Sequence, residues 1–278
     1  MLPIRINIKI KIHNIINIKG RILYIPLFYT VIIMLDIHSH ILPAVDDGAK
    51  TIEESLEILK EMYRQGITDV IATPHFYPLE DNLEDYLSIT RKAFSLLKEN
   101  TVNKKVPNIF LGCEILYYSG ISKVYELKHF TLNGSCFLLL ELTPDLINDN
   151  LFDELLYLKG KRNIVPIIAH IERYKTAKKY RKFIEFVKKN GIPSQVNATS
   201  FLIKDYSKTL DKLFAENAVT FIGTDSHSPE RRPPFMDSAL EKISQKYGNK
   251  TKEKLIENAK KLYLDITNKE NFNEIQYP

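Results

Sequence analysis

From residue 34 onward, short apolar runs rich in β-branched residues alternate with longer stretches that have a helical period. Several of these runs are continuously apolar, which is typical of parallel strands covered on both faces. The predicted strands are 35–40, 70–76, 108–115, 136–143, 164–171, 193–200 and 219–228. Seven strands that alternate with helices predict an α/β fold.

The helices between these strands are marked by capping residues and apolar stripes. Thr51 and Glu54 form a capping box before one stripe, and Gly66 follows the end of that helix. Thr176 is expected to begin another helix, which Gly191 ends. Further helices are predicted at 83–99, 150–159, 205–217, 236–247 and 252–263. Because no repeat, linker or composition break interrupts this pattern, we expect residues 34–278 to form a single domain.

The first 33 residues differ in composition from the rest of the chain. They carry five basic residues and no acid, so 34 basic residues remain against 34 acidic ones. An electrically neutral body gives no indication of a nucleic-acid partner. The apolar run 22–35 is short for a membrane span and contains Pro26, so we expect no stable membrane insertion. We interpret residues 1–33 as a non-structural leader, or as sequence upstream of a true start at Met34.

Cys113 and Cys136 are the only cysteines. Two are too few for a disulfide framework, and a reducing, cytoplasmic compartment is expected. Neither has an arginine six positions downstream, where Ser119 and Leu142 stand. The phosphate loop of cysteine-dependent phosphatases is therefore missing. Both cysteines lie in apolar, strand-like runs, which favours buried and inert thiols.

Histidines and carboxylates recur where the predicted strands end. Two pairs, His38 with His40 and Asp225 with His227, are each two positions apart in a strand, so the members of a pair project to the same side. Five imidazoles and four carboxylates in all suit a cluster of divalent metals better than one ion. The nine candidate metal ligands are His38, His40, Asp47, His75, Glu114, Glu141, His170, Asp225 and His227.

The surroundings of Glu114 and Glu141 support this interpretation. Each lies in an apolar strand without a nearby lysine or arginine, where an unpaired carboxylate is costly. A lone histidine in a strand is more often a hydrogen-bonded core residue, but five at strand ends are not explained in this way. Ligands at the ends of nearly all strands favour a barrel over an open sheet, because a barrel brings every strand end to one mouth.

Taken together, the motifs resemble those of a known family. They run in order from Asp36 to Pro234, as DIHSHILPAVDDGA, ATPHF, GCEI, LLELT, IIAHIERY and GTDSHSPERRPP. The chain is similar to the manganese-dependent bacterial protein-tyrosine phosphatases of capsular and extracellular polysaccharide loci, in the polymerase-and-histidinol-phosphatase (PHP) superfamily. The resemblance implies a distorted (β/α)7 TIM-like barrel, the PHP fold, in which the nine candidate residues hold three divalent ions.

The resemblance also implies a reaction and a partner. Arg173 and Arg232 would clamp the phosphate with planar donors, and Arg231 is the alternative to Arg232. The reaction would be metal-dependent hydrolysis of phosphotyrosine on the tail of a cognate bacterial tyrosine kinase that controls capsule or exopolysaccharide synthesis. Mn2+ is the expected cofactor, although mixed imidazole and carboxylate ligands also admit Fe, Zn or Co. The sequence leaves the oligomeric state open.

Three other functions fit part of the same sequence. A small-molecule phosphatase of the PHP superfamily, such as a histidinol phosphatase, would share the metals and the fold. An amidohydrolase that cleaves C–N bonds often has a strand-end lysine between its metals, and these motifs contain no such lysine. A non-catalytic metal-binding module would have no use for two arginines beside nine ligands. Phosphomonoester hydrolysis is therefore the favoured chemistry.

Overall fold

The structure, a computed structural model, describes residues 12–18, 21–27 and 33–268. The chain divides into two compact units, Met1–Ile33 and Met34–Pro278. In the first unit, β1 (Ile12–Ile18) and β2 (Arg21–Leu27) pair as an antiparallel hairpin. Among the helices of the described residues, none is long and apolar enough to cross a membrane. The interpretation of residues 1–33 as a leader stays a prediction.

The second unit is a mixed α/β fold in which strands alternate with helices. Its strands are β3 (Leu35–Ser39), β4 (Asp69–Ala72), β5 (His75–Phe76), β6 (Asn108–Leu111), β7 (Glu114–Leu116), β8 (Phe137–Glu141), β9 (Val165–Ile168), β10 (Gln195–Asn197) and β11 (Phe221–Gly223). Its helices are α1 (Ile52–Arg64), α2 (Leu83–Thr101), α3 (Asp149–Lys161), α4 (Tyr180–Lys189), α5 (Ser207–Ala215), α6 (Met236–Tyr247) and α7 (Asn249–Thr267). The predicted order of elements is confirmed, and the strands are shorter than predicted.

Two of the predicted strands are interrupted in the middle. The chain passes through Pro74 between β4 and β5, and through Gly112 between β6 and β7. Proline has no N–H to donate to a strand ladder. A Cβ at Gly112 would meet the buried side chain of Leu132 at 2.8 Å, so a larger residue here would require that side chain to shift. After these breaks, His75 and Glu114 begin new short strands and lie opposite one another in a parallel register.

Parallel pairing links the strands of the second unit into three groups, β3-β4-β6, β5-β7-β8-β9 and β10-β11. Two isolated parallel bridges lie at the edges of these groups. Ile168 at the end of β9 pairs with Ser194, and Ser39 at the end of β3 pairs with Ser226. The chain that follows the last strand therefore lies beside the first strand.

The local signals for helix ends are correct at α1, and at α4 they are correct for the end at Gly191 and wrong for the start. Thr51 caps α1, because its side chain accepts the N–H of Glu54 at 3.3 Å. The helix predicted to begin at Thr176 begins at Tyr180 instead, since a 3-10 turn occupies Ile171–Thr176. This turn follows directly on the strand end that carries a candidate ligand, and it displaces the helix start by one turn.

Candidate metal centre

Glu114, at the start of β7, lies among four of the predicted histidine ligands. Its Oε2 is 3.0 Å from Nε2 of His38 and 3.2 Å from Nε2 of His40. The same oxygen is 3.3 Å from Nδ1 of His75, and Oε1 is 2.9 Å from Nε2 of His170. Glu114 is 1% exposed. A carboxylate this deeply buried requires positive charge or several donors around it.

The other four candidates complete one cluster. Asp225 Oδ1 lies 3.5 Å from Nδ1 of His227, and Asp47 Oδ1 lies 3.3 Å from Nε2 of the same histidine. Glu141 Oε2 is 3.7 Å from Nδ1 of His75. The structure thus brings all nine sequence-predicted ligands to one place. Three overlapping sets have donor atoms within 4.8 Å of one another: His40, Asp47, His75 and His227; His38, His40 and Asp225; and His75, Glu114 and Glu141.

Two of the candidate ligands have a left-handed backbone. His170 has φ 28° and Asp225 has φ 52°. Residues other than glycine rarely adopt positive φ, and such strain persists where surrounding contacts hold it. For Asp225 one such contact is its N–H, which donates to the carbonyl of His38 at 2.8 Å. At His170 and Asp225 the backbone therefore bends away from the strand direction. The strand hydrogen bonds do not continue there, and the two side chains point into the cluster.

Asp46 orients one of the histidines and was not among the predicted site residues. Its Oδ2 lies 2.7 Å from Nδ1 of His40 and accepts the N–H of His75 at 3.0 Å. Burial opposes ionisation of Asp46, but His40 and the neighbouring backbone N–H groups lower its pKa below the usual range. A carboxylate that holds the outer nitrogen of a histidine fixes its tautomer and leaves Nε2 free for a metal. The Asp46-Asp47 doublet was the available sequence signal.

Gln195 of β10 performs a similar task for His38, and sequence reasoning missed it. Its Oε1 lies 3.2 Å from Nδ1 of His38 and accepts the N–H of His170 at 2.8 Å. Its Nε2 donates to Asn197 Oδ1 at 2.7 Å, and Asn197 Nδ2 donates to Asp225 Oδ2 at 2.5 Å. Neither amide belongs to a recognisable motif. Gln195 and Asn197 reach the site only because β10 lies between β9 and β11, and both of those strands lead into candidate ligands.

The donor atoms themselves fit divalent cations. Among the described residues, His75 Nδ1 and His227 Nε2 are buried without a hydrogen-bond partner, which is costly for a polar atom. Nε2 of His38 and Nε2 of His40 lie 3.1 Å apart. Two nitrogens that bind one ion at about 2.1 Å, near a right angle, are separated by about 3 Å. The arrangement therefore suits nitrogen lone pairs that converge on cations.

Two groups of the cluster have pKa shifts that suit cation binding, whereas Glu114 and Asp46 counter the effect of burial and raise the pKa of His40, which would lose a proton on binding a metal. Burial and the neighbouring Glu114 raise the pKa of Glu141 to about 7. Burial and the nearby His40 lower the pKa of His227 to about 3, so this imidazole is neutral near pH 7. Metals require neutral imidazoles and ionised carboxylates. The crowded carboxylates would be relieved by cations, and the neutral imidazole is ready to bind one.

Two arginines meet Asp225 on its other oxygen. Arg173 Nη2 donates to Oδ2 at 2.6 Å, and Arg232 Nη2 donates to the same atom at 2.5 Å. Each arginine side chain is 35% exposed. Both guanidinium groups share this one carboxylate oxygen, and each has further N–H groups that can bind an anion. Of the two alternatives in the sequence, Arg232 reaches the cluster, while Arg231 is exposed.

The cysteines lie in environments that suppress thiolate formation. Cys113 is 1% exposed, and burial raises the pKa of its thiol well above the usual value. Burial also raises the pKa of the Cys136 thiol. A nucleophilic cysteine needs a lowered pKa and access to substrate. Neither thiol in the structure has the character of a nucleophile.

We predict that serine at Cys113 or Cys136 will lower turnover by a few-fold at most, through packing alone. The reason is that neither thiol meets the requirements of a nucleophile. The check is kcat for each variant, with metal content measured on the same sample. Abolished turnover in a variant with normal metal content would show that a thiolate takes part in the reaction.

Comparison with known proteins identifies relatives over nearly the whole second unit. Residues 34–264 match the family model for capsular polysaccharide synthesis, CpsB/CapC. The tyrosine-protein phosphatase CpsB of Streptococcus agalactiae serotype III (strain NEM316) is 32% identical over 244 residues, which cover 82% of this chain and 98% of the relative. The tyrosine-protein phosphatase YwqE of Bacillus subtilis (strain 168) is 28% identical over 240 residues, 84% of this chain and 93% of YwqE.

A solved structure is also similar to this chain. It comes from work on YwqE from Bacillus subtilis and CpsB from Streptococcus pneumoniae, described as unique metal-dependent tyrosine phosphatases. The TM-score is 0.73 at 27% sequence identity, with 84% of this chain and 94% of the other covered. The matches in sequence and in structure agree with one another. The chain belongs to the capsular polysaccharide synthesis CpsB/CapC family.

Proposed function

We propose that this chain is a metal-dependent protein-tyrosine phosphatase that hydrolyses phosphotyrosine without a cysteine nucleophile. The observation that carries the proposal is the convergence of nine candidate ligand side chains on one cluster, with two arginines at its edge. The names of the relatives support the same activity. The proposed metal ligands are His38, His40, Asp47, His75, Glu114, Glu141, His170, Asp225 and His227.

Each part of the cluster has a chemical task in this reaction. Bound divalent ions would supply a water of lowered pKa and positive charge for the phosphate. Arg173 and Arg232 would bind the phosphate oxygens, because guanidinium groups match phosphate with two parallel donors. Asp46 and Gln195 would hold His40 and His38 in the tautomer that leaves Nε2 free. A phenolate leaves readily, so the reaction needs no strong general acid.

We further propose that the second unit is a distorted (β/α)7 barrel of the PHP type. The two parallel bridges, Ile168 with Ser194 and Ser39 with Ser226, support closure because they join the three strand groups at their edges. A closed barrel also explains why ligands from so many strands share one cluster. An open sheet would bring together only the strands near its switch point.

We also propose the number and kind of the metal ions, the substrate and the cellular location. Three ions, with Mn2+ in first place, are supported by three overlapping ligand sets that are rich in imidazole. The substrate is proposed to be the phosphotyrosine tail of a bacterial tyrosine kinase that acts in capsule synthesis, in keeping with the family. A cytoplasmic location is supported by the free cysteines Cys113 and Cys136.

A comparative assay tests the proposed function. The purified chain is given a phosphotyrosine peptide, histidinol phosphate and a nucleotide phosphodiester, each with and without manganese. We expect manganese-dependent hydrolysis of the peptide at the highest kcat/KM of the three. A preference for histidinol phosphate would assign the chain to small-molecule metabolism instead, and metal-independent turnover would remove the cluster from the chemistry.

Asp46→Asn should weaken manganese binding by about 10–100-fold, the usual cost of losing a partner that orients a metal-binding histidine. The reason is the 2.7 Å contact between Asp46 Oδ2 and His40 Nδ1. Titration of the metal-free protein with Mn2+ measures the effect. Asp153→Asn, at an exposed position of α3, is the matched control and should bind manganese normally. Equal affinities in the two variants would contradict the orienting role of Asp46.

A further inference from the structure

A cavity of about 360 Å3 adjoins the cluster. Asp47 and His75, two of the proposed ligands, form one end of it. Tyr77, Tyr86 and Ile89 contribute apolar surface to its walls. Its volume lies within the range of small-molecule sites, about 300–1,000 Å3. A substrate group attached to a phosphate at the cluster would therefore have space to extend here.

The charge of the cavity shows which part of a substrate it can accept. Among the residues that the structure describes, no lysine or arginine lines it, whereas the carboxylates of Asp46, Asp47, Asp81 and Asp85 do. Asp81 accepts the N–H of Tyr77 at 2.7 Å, and Asp85 is exposed on α2. These carboxylates repel a phosphate, while the two guanidinium groups at Asp225 attract one. The phosphate is thus expected at the cluster, and the uncharged part of the ester in the cavity.

Two aromatic side chains and one apolar side chain form part of the cavity wall. The Tyr77 ring stacks on His75, with 5.2 Å between ring centroids and 22° between the planes. Tyr86 is buried, and its hydroxyl donates to the carbonyl of Pro74 at 3.1 Å, which fixes that wall. Ile89 on α2 is 50% exposed, so it presents apolar surface that a ligand can cover. An aromatic ring that packs against another aromatic ring gains binding free energy beyond that from buried area alone.

We propose that this cavity is the subsite for the phenol ring of phosphotyrosine, and that Tyr77 and Ile89 select aryl phosphates over alkyl phosphates. This inference rests on the proposed phosphatase function and adds the residues that recognise its substrate. An alkyl phosphate has no ring to place against Tyr77 and Ile89. Tyr77 and Ile89 therefore contribute to the binding of aryl substrates. This contribution is measured as KM and as the affinity for aryl ligands.

The first test replaces the aromatic wall in the manganese-loaded protein. Tyr77→Leu should lower kcat/KM for a phosphotyrosine peptide by about 3–10-fold, the effect of one aromatic contact, mainly through KM. The same variant should raise the inhibition constant of phenylphosphonate by a similar factor and leave that of methylphosphonate unchanged. Tyr77→Phe keeps the ring and should behave like the original chain in all three measurements. Metal content is measured in parallel, because Tyr77 also contacts His75.

Ile89→Ala and Leu96→Ala form a matched pair for the second test. Both residues lie on α2 with similar exposure, 50% and 47%, but only Ile89 lines the cavity. Weaker phenylphosphonate binding in Ile89→Ala alone supports the subsite. Equal effects of Ile89→Ala and Leu96→Ala on phenylphosphonate binding would overturn the subsite. It would also be overturned if Tyr77→Leu lost its metal and bound neither phenylphosphonate nor methylphosphonate. Failure of the phosphatase proposal itself would be visible separately, as absent metal-dependent turnover in the unmodified chain.

Discussion

Removal of metal is expected to abolish hydrolysis of a phosphotyrosine peptide, and manganese should restore it better than magnesium. The nine candidate ligands include five imidazole nitrogens, whereas magnesium strongly prefers a shell of oxygen atoms. Activity is measured after exhaustive chelation and after addition of each metal in turn. Full activity in a rigorously metal-free sample would contradict a metal-dependent reaction.

The same treatment should also lower the thermal stability of the protein. Glu114 and Glu141 lie near the same nitrogen of His75, and their carboxylates repel one another when no cation lies between them. Metal that binds only the folded state adds about 2.7 kcal/mol when its concentration is a hundred times Kd. We therefore expect Tm to fall on chelation and to recover with manganese.

Two glutamates provide a matched comparison for this effect. Glu114→Gln should strongly reduce the response of Tm to manganese, because it removes a carboxylate that lies near four of the histidines. Glu154 is also buried, but its carboxylate accepts from the Tyr117 hydroxyl at 2.6 Å and the Gly120 N–H at 2.8 Å. Glu154→Gln should lower Tm and keep the full response to manganese. If both variants lost the response of Tm to manganese, that response would depend on folding in general and not on the cluster.

Arg173→Ala is expected to cut turnover by about a hundredfold or more while the metals stay bound, comparable to the loss of one preorganised oxyanion donor. Arg173 has one N–H on Asp225, and a guanidinium carries further donors for a phosphate. Arg173→Lys should recover little, because lysine offers a point charge in place of two parallel donors. Single-turnover rates on phosphotyrosine peptide, with metal content, measure both variants.

The contact between Arg173 and Asp225 allows a second explanation of lost turnover in Arg173→Ala, and the same measurements distinguish the two explanations. If Arg173 served only to hold Asp225, its removal would release metal in proportion to the lost activity. Arg232 and Asn197 also donate to Asp225 Oδ2, so we expect that carboxylate to stay in place. Arg181→Ala is the control, because this arginine is 83% exposed and pairs only with Glu185 among the described residues. Near-normal turnover in Arg173→Ala would remove Arg173 from phosphate binding.

The grouping of the candidate ligands was predictable from the sequence, because they stand where apolar, strand-like runs end. Alternation along β3 places His38 and His40 on one side, and the sequence alone indicates this. The same reasoning paired Asp225 with His227, but β11 ends at Gly223 and Asp225 has φ 52°, so strand alternation is not what brings these two side chains together. Once a parallel α/β order was inferred from apolar runs, convergence of these pairs required only that the strand ends meet.

The groups that support the ligands could not be predicted in the same way. Gln195 and Asn197 reach the cluster only because β10 lies between β9 and β11 in space, and a lone amide in a strand carries no chemical signal. The choice between Asp46 and Asp47 was similarly ambiguous, since a doublet does not say which carboxylate faces a histidine. The start of α4 was placed too early, because a 3-10 turn has no sequence pattern as distinct as a capping box.

We propose that nine side chains, at the strand ends and in the loop after β3, bind the metals that carry out hydrolysis. Anomalous X-ray scattering from a manganese-loaded crystal, collected on both sides of the manganese absorption edge, tests it most directly. We expect three peaks inside the cluster, each about 2 Å from donor atoms of the nine residues. No peak within the cluster, or manganese bound only elsewhere on the protein, would contradict it.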